Sequence, residues 1–435
     1  MRQDALMATG NEGVGRIRSI DVLRGLAITS MVLVNDAAET AHAPDALRHV
    51  PPGIEGMTLA DVVFPAFLFV VGLSAPLALT RARAAGQSTA KILAHVLART
   101  FGLLVMGVMM VGRADHVGWM PNLWTGLMYV AFFATWSVVP KKPSWKRHAF
   151  RIAKVGGVAL LVALAWSYRG ADGGRLVLGP LVDPTATEWL HHGWWEILGT
   201  LGWVYVTTSL VFLAVGPSPW RLSLGVPVAL AAFAFEHAGW LGTRATWPAD
   251  LGPFAFVGEL VLAIDAHVSF AFVLGPKLAL ALAGAALGSS FVRGRSEDSE
   301  VVRSAVVVAL VTGLLGLALH PLWGVSKTGS TPSWALYSAS LTSLVFAGIH
   351  HALARGRLGW LEAALAPAGA SPLTAYLLHP LVRGALGLIP GLGVLQAYKG
   401  AQASPFVAVL GATAMTVFVV WATGRLARLG VRVEV

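Results

Sequence analysis

The chain has 435 residues, of which 56% are hydrophobic and only 12% are charged, and its formal net charge is +10 at neutral pH. A soluble globular protein carries about 25% charged residues to cover its surface, so this composition excludes a large soluble helical protein. Apolar runs of about 20 residues recur along the chain and predict an all-α polytopic membrane protein in a lipid bilayer. We attribute the basic charge to the positive-inside bias and expect no nucleic-acid partner.

The chain contains no cysteine, which excludes disulfides, thiolate nucleophiles and cysteine metal ligands. No His-x-x-x-His pair with a nearby carboxylate is present, so we expect no metal site. Residues 1–16 are polar and lack the apolar core of a signal peptide. We interpret them as a disordered cytoplasmic tail in front of a single transmembrane domain over residues 17–430.

About twelve transmembrane helices are predicted, with eleven as the other possible count. The spans cover residues 19–36, 58–80, 91–112, 119–139, 149–168, 190–215, 220–240, 267–290, 302–320, 333–354, 371–390 and 405–427. Basic residues are concentrated in one alternating set of the connecting loops. Because cytoplasmic loops carry the excess of lysine and arginine, both termini are predicted to be cytoplasmic.

Two histidines lie in the loop between the first two spans, which this topology places on the outer side of the membrane. His49 stands a few residues before the second span and can act as a general base near neutral pH. The alternative is an ordinary solvent-exposed loop histidine. His42 has the same features and is equally eligible on chemistry alone.

Two further polar residues accompany this loop. Asp61 lies one turn inside the second span, near the outer end, where the helix dipole favours its charge. It either orients an imidazole or serves only as a carboxylate at a helix N-terminus. Asn35 ends the first span on the same side and either hydrogen-bonds a reacting group or caps the helix.

Charged residues at other places form two more candidates. Asp21 and Arg24 are three residues apart at the cytoplasmic entry of the first span and share a helix face. They form an intrahelical ion pair, or Arg24 offers its guanidinium to a phosphate from the cytosol. Lys327 lies in an outer segment rich in glycine, serine, threonine and proline, which is more typical of a ligand-gripping loop than of a plain connector.

Several segments together resemble a known family. They are residues 18–25, Val34-Asn35, His49, 56–65 with Phe67-Leu68-Phe69, Trp195–Gly199 through Gly202-Trp203, Ser326-Lys327, Thr331–Trp334, and Ser371-Pro372-Leu373 to Tyr376 and His379. They resemble the transmembrane acyltransferase family of lysosomal heparan-α-glucosaminide N-acetyltransferase, and most closely its bacterial relatives. The likeness extends over most of the chain, and the block 18–74 is its most specific part. The segment between His49 and Gly56 is longer here than is usual in the family and lacks its tryptophan.

The resemblance implies transfer of an acetyl group from cytosolic acetyl-CoA, as co-substrate, to an amino sugar or envelope glycan outside the bacterial inner membrane. It implies that His49 is the catalytic base; Asp61 would then hold the imidazole, and Asn35 would hydrogen-bond the reacting carbonyl. The residues assigned to acetyl-CoA binding are Arg24, Asp21, Lys327, Trp334 and His379.

A multi-pass transporter or exporter of a small polar or saccharide substrate is the alternative prediction, because twelve spans with both termini inside suit such a protein. Asp21, Asp61 and Lys277 are then the expected coupling residues. The sequence leaves open the acceptor, N- or O-acylation, the acyl-chain length and whether an acetyl-histidine intermediate forms. It also leaves open the oligomeric state, for which a homodimer is one option.

Overall fold

The computed structural model describes residues 17–112, 121–140, 143–168, 190, 195–239, 252–292 and 297–435. The predicted tail over residues 1–16 lies outside the described residues. Within these ranges every named element is helical, and the extended pairing is limited to an isolated bridge between Ser137 and Val433. The predicted all-α class is confirmed for this part of the chain. The assignment of residues 17–430 to one domain stays a prediction.

The α-helices of the described ranges are α1 Arg18–Ala38, α2 Leu59–Ala84, α3 Thr89–Val111, α4 Pro121–Trp136, α5 Ser144–Ser167, α6 Glu196–Val215, α7 Pro219–His237, α8 Ala255–Val268, α9 Pro276–Val292, α10 Asp298–Trp323, α11 Pro332–Ala354, α12 Gly359–Ala370, α13 Pro372–Leu388 and α14 Pro405–Arg428. Short 3-10 helices cover Asp45–Leu47, Gly252–Phe254 and Leu392–Lys399, and a π-helix covers Phe270–Leu274. Each predicted span overlaps a helix, whereas α8 and α12 were not predicted as spans.

In the described residues, seven helices are long and apolar enough to cross a membrane, or eight if α13 and Leu392–Lys399 form one span bent by 117°. This supports a multi-pass membrane architecture, while the count of twelve and the cytoplasmic termini stay predictions. Helix α1 is not among the seven because it contains four charged residues, Arg18, Asp21, Arg24 and Asp36. Helix α4 is too short at 16 residues.

Helices α2 and α9 pack backbone to backbone at the centre of the bundle. A β-carbon added to Gly72 of α2 would lie 1.9 Å from the backbone oxygen of Ala281, and one added to Gly284 of α9 would lie 2.2 Å from that of Phe69. Gly284 and Gly288 form the Gly-x-x-x-Gly spacing that lets membrane helices approach this closely. Helix α9 is buried along almost its whole length, so it supports α2 from inside the bundle.

Helices α1 and α2 run antiparallel, since Arg24 near the start of α1 contacts Ser74 near the end of α2. We call the end of the bundle where α1 ends and α2 begins the His49 end, and the opposite one the Arg24 end. The start of α11 also lies at the His49 end, because Trp334 bonds to Asp61 there. The loop over residues 39–58 and the loop over residues 324–331 therefore meet at one end of the bundle.

Candidate functional site

His49 and Asp61 form a hydrogen-bonded pair at the His49 end. The Nδ1 atom of His49 lies 2.9 Å from Oδ1 of Asp61. The carboxylate is buried, with 1% of its side chain exposed, whereas 39% of the imidazole is exposed. A carboxylate can only accept, so this bond assigns the hydrogen to Nδ1 and leaves Nε2 as the basic nitrogen. The pair can therefore accept a proton from a molecule at the surface.

The second oxygen of Asp61 is fixed by the backbone. Oδ2 accepts the N–H of Thr58 at 3.1 Å and the N–H of Val50 at 3.2 Å. The Thr58 hydroxyl donates to the carbonyl of Arg48 at 2.6 Å, which ties the residue before His49 to the start of α2. Thr58-x-x-Asp61 is a helix capping box. One oxygen of Asp61 therefore contacts the imidazole and the other closes the helix end, while a catalytic role for Asp61 stays a prediction.

Trp334 supports Asp61 from the start of α11. Its buried indole Nε1 donates to the backbone oxygen of Asp61 at 2.9 Å. This bond fixes the first turn of α2 against α11 and so fixes the direction of the Asp61 side chain. A role for Trp334 in donor binding stays a prediction.

Lys327 lies against the imidazole of His49. Its Nζ atom is 3.0 Å from Nε2 and 3.1 Å from Nδ1, so it faces the ring between the two nitrogens. Burial lowers the pKa of Lys327 to about 8, and the carboxylates of Asp61 and Glu196 oppose that shift. The amine is therefore charged at neutral pH and loses its proton in mildly alkaline solution.

The loop that carries Lys327 is closed by its own hydrogen bonds. The backbone N–H of Gly329 donates to the Ser326 hydroxyl at 3.0 Å, and the N–H of Ser326 donates to the Thr331 hydroxyl at 3.0 Å. These bonds satisfy polar groups that a connector would leave to solvent. The predicted ligand-gripping segment is thus an ordered turn that presents Lys327 to His49.

The two loop histidines, which chemistry alone does not distinguish, lie in different surroundings. Nε2 of His42 is 3.0 Å from the backbone oxygen of Ala401, on the segment that follows the 3-10 helix Leu392–Lys399. His49, in contrast, contacts Asp61 and Lys327. Asn35 is half-buried near the end of α1, and in the described part of the chain its side chain makes no hydrogen bond to His49. Its role beside the reacting carbonyl stays a prediction.

His379 belongs to a second, buried cluster that sequence reasoning missed. Its Nε2 atom lies 3.1 Å from Oδ1 of Asp36, which is fully buried one residue after Asn35. Nζ of Lys399 lies 2.7 Å from the same Oδ1, and the hydroxyl of Tyr398 donates to Oδ2 at 2.5 Å. The signal was present, because a carboxylate inside an apolar span requires a partner. Donor binding by His379 stays a prediction.

A basic cavity of about 360 Å³ lies at the Arg24 end. Arg24 pairs with Asp21, with 3.2 Å between Nη1 and Oδ1, and its Nη2 donates to the Ser74 hydroxyl at 2.7 Å. The ion pair expected from the three-residue spacing is therefore present. Arg81 and Arg432, neither of which was a predicted site residue, line the same cavity.

Within the described ranges, no group of three or more histidine, aspartate and glutamate side chains could hold a metal ion.

A family model described as "Domain of unknown function (DUF5009)" matches residues 16–180, which include Arg24, His49 and Asp61. Mouse heparan-alpha-glucosaminide N-acetyltransferase is 35% identical over 103 residues, which are 24% of this chain and 15% of the mouse protein. The human protein of the same name is 34% identical over 96 residues, which are 22% of this chain and 14% of the human protein. The relationship is distant. This chain matches only a small part of the length of either relative.

Proposed function

We propose that this chain is a transmembrane acyltransferase of the bacterial inner membrane. It moves an acetyl group from cytosolic acetyl-CoA to an amino sugar or envelope glycan on the extracytoplasmic side. The observation that carries the proposal is the pair of His49 and Asp61, a half-exposed imidazole held at 2.9 Å by a buried carboxylate. Partial similarity to two N-acetyltransferases supports acetyl as the group that is transferred.

The chemistry at the His49 end is general-base catalysis. Nε2 of His49 removes a proton from the acceptor amine or hydroxyl while that atom attacks the thioester carbonyl. Lys327, charged at neutral pH, turns from Nε2 of His49 to the carbonyl oxygen and stabilises the negative charge that develops there. When the thioester bond breaks, the proton on Nε2 passes to the leaving thiolate, and His49 is neutral again. Asp61 keeps the ring oriented throughout.

The donor enters from the Arg24 end. Arg24, Arg81 and Arg432 surround the cavity there, and guanidinium groups suit the phosphates of acetyl-CoA because they bind them through paired hydrogen bonds. Asp21 holds Arg24 in place through its ion pair. The nucleotide is too polar to cross a bilayer, so it stays at this end.

Only the thin arm of the donor has to reach the opposite end. Eleven residues of α1 separate Arg24 from Asn35, a distance of about 16 Å along the helix axis. In this proposal Lys327 is the donor-binding residue nearest the acetyl group, because it lies against His49. The positive-inside bias supports this direction, since Arg18, Arg81 and Arg432 lie at the Arg24 end.

The test is release of free CoA by purified protein supplied with acetyl-CoA and glucosamine. We expect release by the natural protein and by His42→Ala, and loss of release by His49→Ala. The His42 variant is the matched control because it removes the other histidine of the same loop. Lack of release with every saccharide tried, together with lack of acetyl-CoA binding by calorimetry, would reject an acyltransferase.

A transporter is the second candidate, and one observation favours it. The π-helix Phe270–Leu274 separates α8 from α9, and the buried Lys277 follows the break with its Nζ 3.3 Å from the centre of the Phe272 ring. Broken helices with buried charges occur at the binding sites of transporters. A transporter requires Lys277 for movement of substrate and consumes no acetyl-CoA. Lys277→Met in vesicle uptake and in CoA release separates the two functions.

A further inference from the structure

The loops that carry His49 and Lys327 come from distant parts of the chain and meet at the His49 end. Within the described part of the chain, a backbone hydrogen bond joins them, from the N–H of Gly56 to the oxygen of Val325 at 2.8 Å. The Nζ atom of Lys327 lies 3.0 Å from Nε2 of His49, where the charged amine can donate to the neutral imidazole. Lysine also has a long flexible side chain that loses entropy when it is fixed. A further contact that fixes the two loops against each other therefore favours the position of Lys327.

A chain of three side chains crosses this junction. Oε1 of Glu55 lies 2.5 Å from Nε2 of His320, at the end of α10, and Nδ1 of His320 lies 3.1 Å from the hydroxyl of Tyr337 on α11. Gly324 has a φ of +62°, and a β-carbon there would lie 3.2 Å from the Glu55 carboxyl carbon. The glycine at this turn thus leaves room for Glu55 where the Lys327 loop begins.

We propose that Glu55 and His320 are positioning residues that hold the His49 loop against the Lys327 loop. Glu55 directly precedes Gly56, whose N–H bonds to Val325 at the start of the Lys327 loop. The inference rests on the proposed function, since it assigns these residues a role in the same reaction. They act through Lys327, whose Nζ they keep within 3.0 Å of His49 Nε2.

The contact between Glu55 and His320, which we call the clasp, contributes to the proposed reaction by fixing positions and adds little binding energy. The side chains of Glu55 and His320 are 58% and 42% exposed, so water screens their attraction and the pair adds little to the stability of the fold. A catalytic group displaced by about 1 Å, however, can cost up to a hundredfold in rate. The loss of Glu55 should therefore appear in turnover and leave folding intact.

The kinetic test is a double-mutant cycle between Glu55→Gln and Lys327→Met. We expect Glu55→Gln to lower kcat by about tenfold to a hundredfold with an unchanged KM for acetyl-CoA. In the Lys327→Met background the same change should have no further effect, because the clasp acts through Lys327. Equal losses in both backgrounds overturn the proposal, and so does a rise only in the KM for the acceptor, which would make Glu55 an acceptor ligand.

The matched control is Asp45→Asn. Asp45 is an exposed carboxylate on the same loop, and in the described part of the chain its side chain takes part in no ion pair. The substitution removes the same charge from the same surface without touching the clasp, so kcat should stay unchanged. An equal loss in this variant would assign the effect to surface charge and overturn the proposal.

The second experiment measures the loops directly and needs no activity. The chain has no cysteine, so Pro52→Cys and Thr328→Cys allow two spin labels to be placed at exposed positions of the two loops. We expect double electron–electron resonance to give a narrow distance distribution that broadens with Glu55→Gln or His320→Gln. An unchanged distribution overturns the clasp. Failure of the proposed function appears instead as lack of CoA release by a protein whose loops respond as expected.

Discussion

His49 and Asp61 are twelve residues apart in the chain, and their side chains meet at 2.9 Å across the start of α2. The carboxylate is buried and bonded on both oxygens, while the imidazole reaches the surface. This combination suits the proposed base, because an exposed ring can meet a substrate while a buried acid keeps the ring in one orientation. Lys327 places its positively charged amine next to the imidazole ring.

His49→Ala should abolish acetyl transfer and leave acetyl-CoA binding intact. Proton transfer by a positioned histidine contributes about 10²–10⁴-fold to a rate, and the donor phosphates are proposed to bind at the other end of α1. The measurement is CoA release together with calorimetric titration of acetyl-CoA. Retained turnover would remove His49 from the catalytic role.

Asp61→Asn should lower kcat by about 10²–10⁴-fold, because the imidazole loses the partner that orients it and supports its positive charge. Trp334→Phe should lower kcat less, since it removes only the hydrogen bond to the Asp61 backbone. Thermal unfolding of both variants checks that they fold. If the Trp334 variant lost more activity than the Asp61 variant, the assignment of Asp61 would be wrong.

Activity should fall as the pH rises through about 8, because burial lowers the pKa of Lys327 to that value and the neutral amine no longer stabilises the oxyanion. Activity changes in this direction because the charged amine is the active form, and the amine is charged below its pKa. Lys327→Arg should shift the fall to higher pH, since guanidinium stays protonated. An identical alkaline fall in Lys327→Met would assign it to another group.

Arg81→Ala and Arg24→Ala should weaken acetyl-CoA binding more than they lower turnover at saturating donor. Each removes one guanidinium from the basic cavity, and a charge-assisted hydrogen bond is worth about 1.5–3 kcal/mol, or roughly tenfold to a hundredfold in affinity. Arg357→Ala is the control because that arginine is exposed on the loop after α11. Unchanged affinity with reduced turnover would contradict the phosphate assignment.

Asp36→Asn should destabilise the fold, because Asp36 is fully buried and bonds to His379, Tyr398 and Lys399. Breaking a buried ion pair on one side costs about 3–5 kcal/mol. Glu39→Gln should lower the free energy of unfolding much less, since Glu39 is 42% exposed where it pairs with Lys399. Equal melting temperatures for the two variants would show that the buried cluster is not a structural anchor.

Part of the candidate site followed from local sequence. The Thr58-x-x-Asp61 pattern predicts a carboxylate bonded at the start of a helix, and the three-residue spacing of Asp21 and Arg24 predicts their ion pair. Both features depend on neighbours within one turn. His42 and His49 could not be told apart in this way, because the partner of each lies outside the local turn, at Ala401 and at Asp61.

The sequence by itself determined that this protein is helical and built for a membrane, because hydrophobic length and charge are properties of each segment alone. Only the tertiary structure decided that Lys327 touches His49, that His379 bonds to Asp36 and that Arg81 and Arg432 share a cavity with Arg24. The first two contacts join residues 278 and 343 positions apart. Such contacts are set by the way helices pack, as at Gly72 and Gly284, and periodicity along one helix does not encode them.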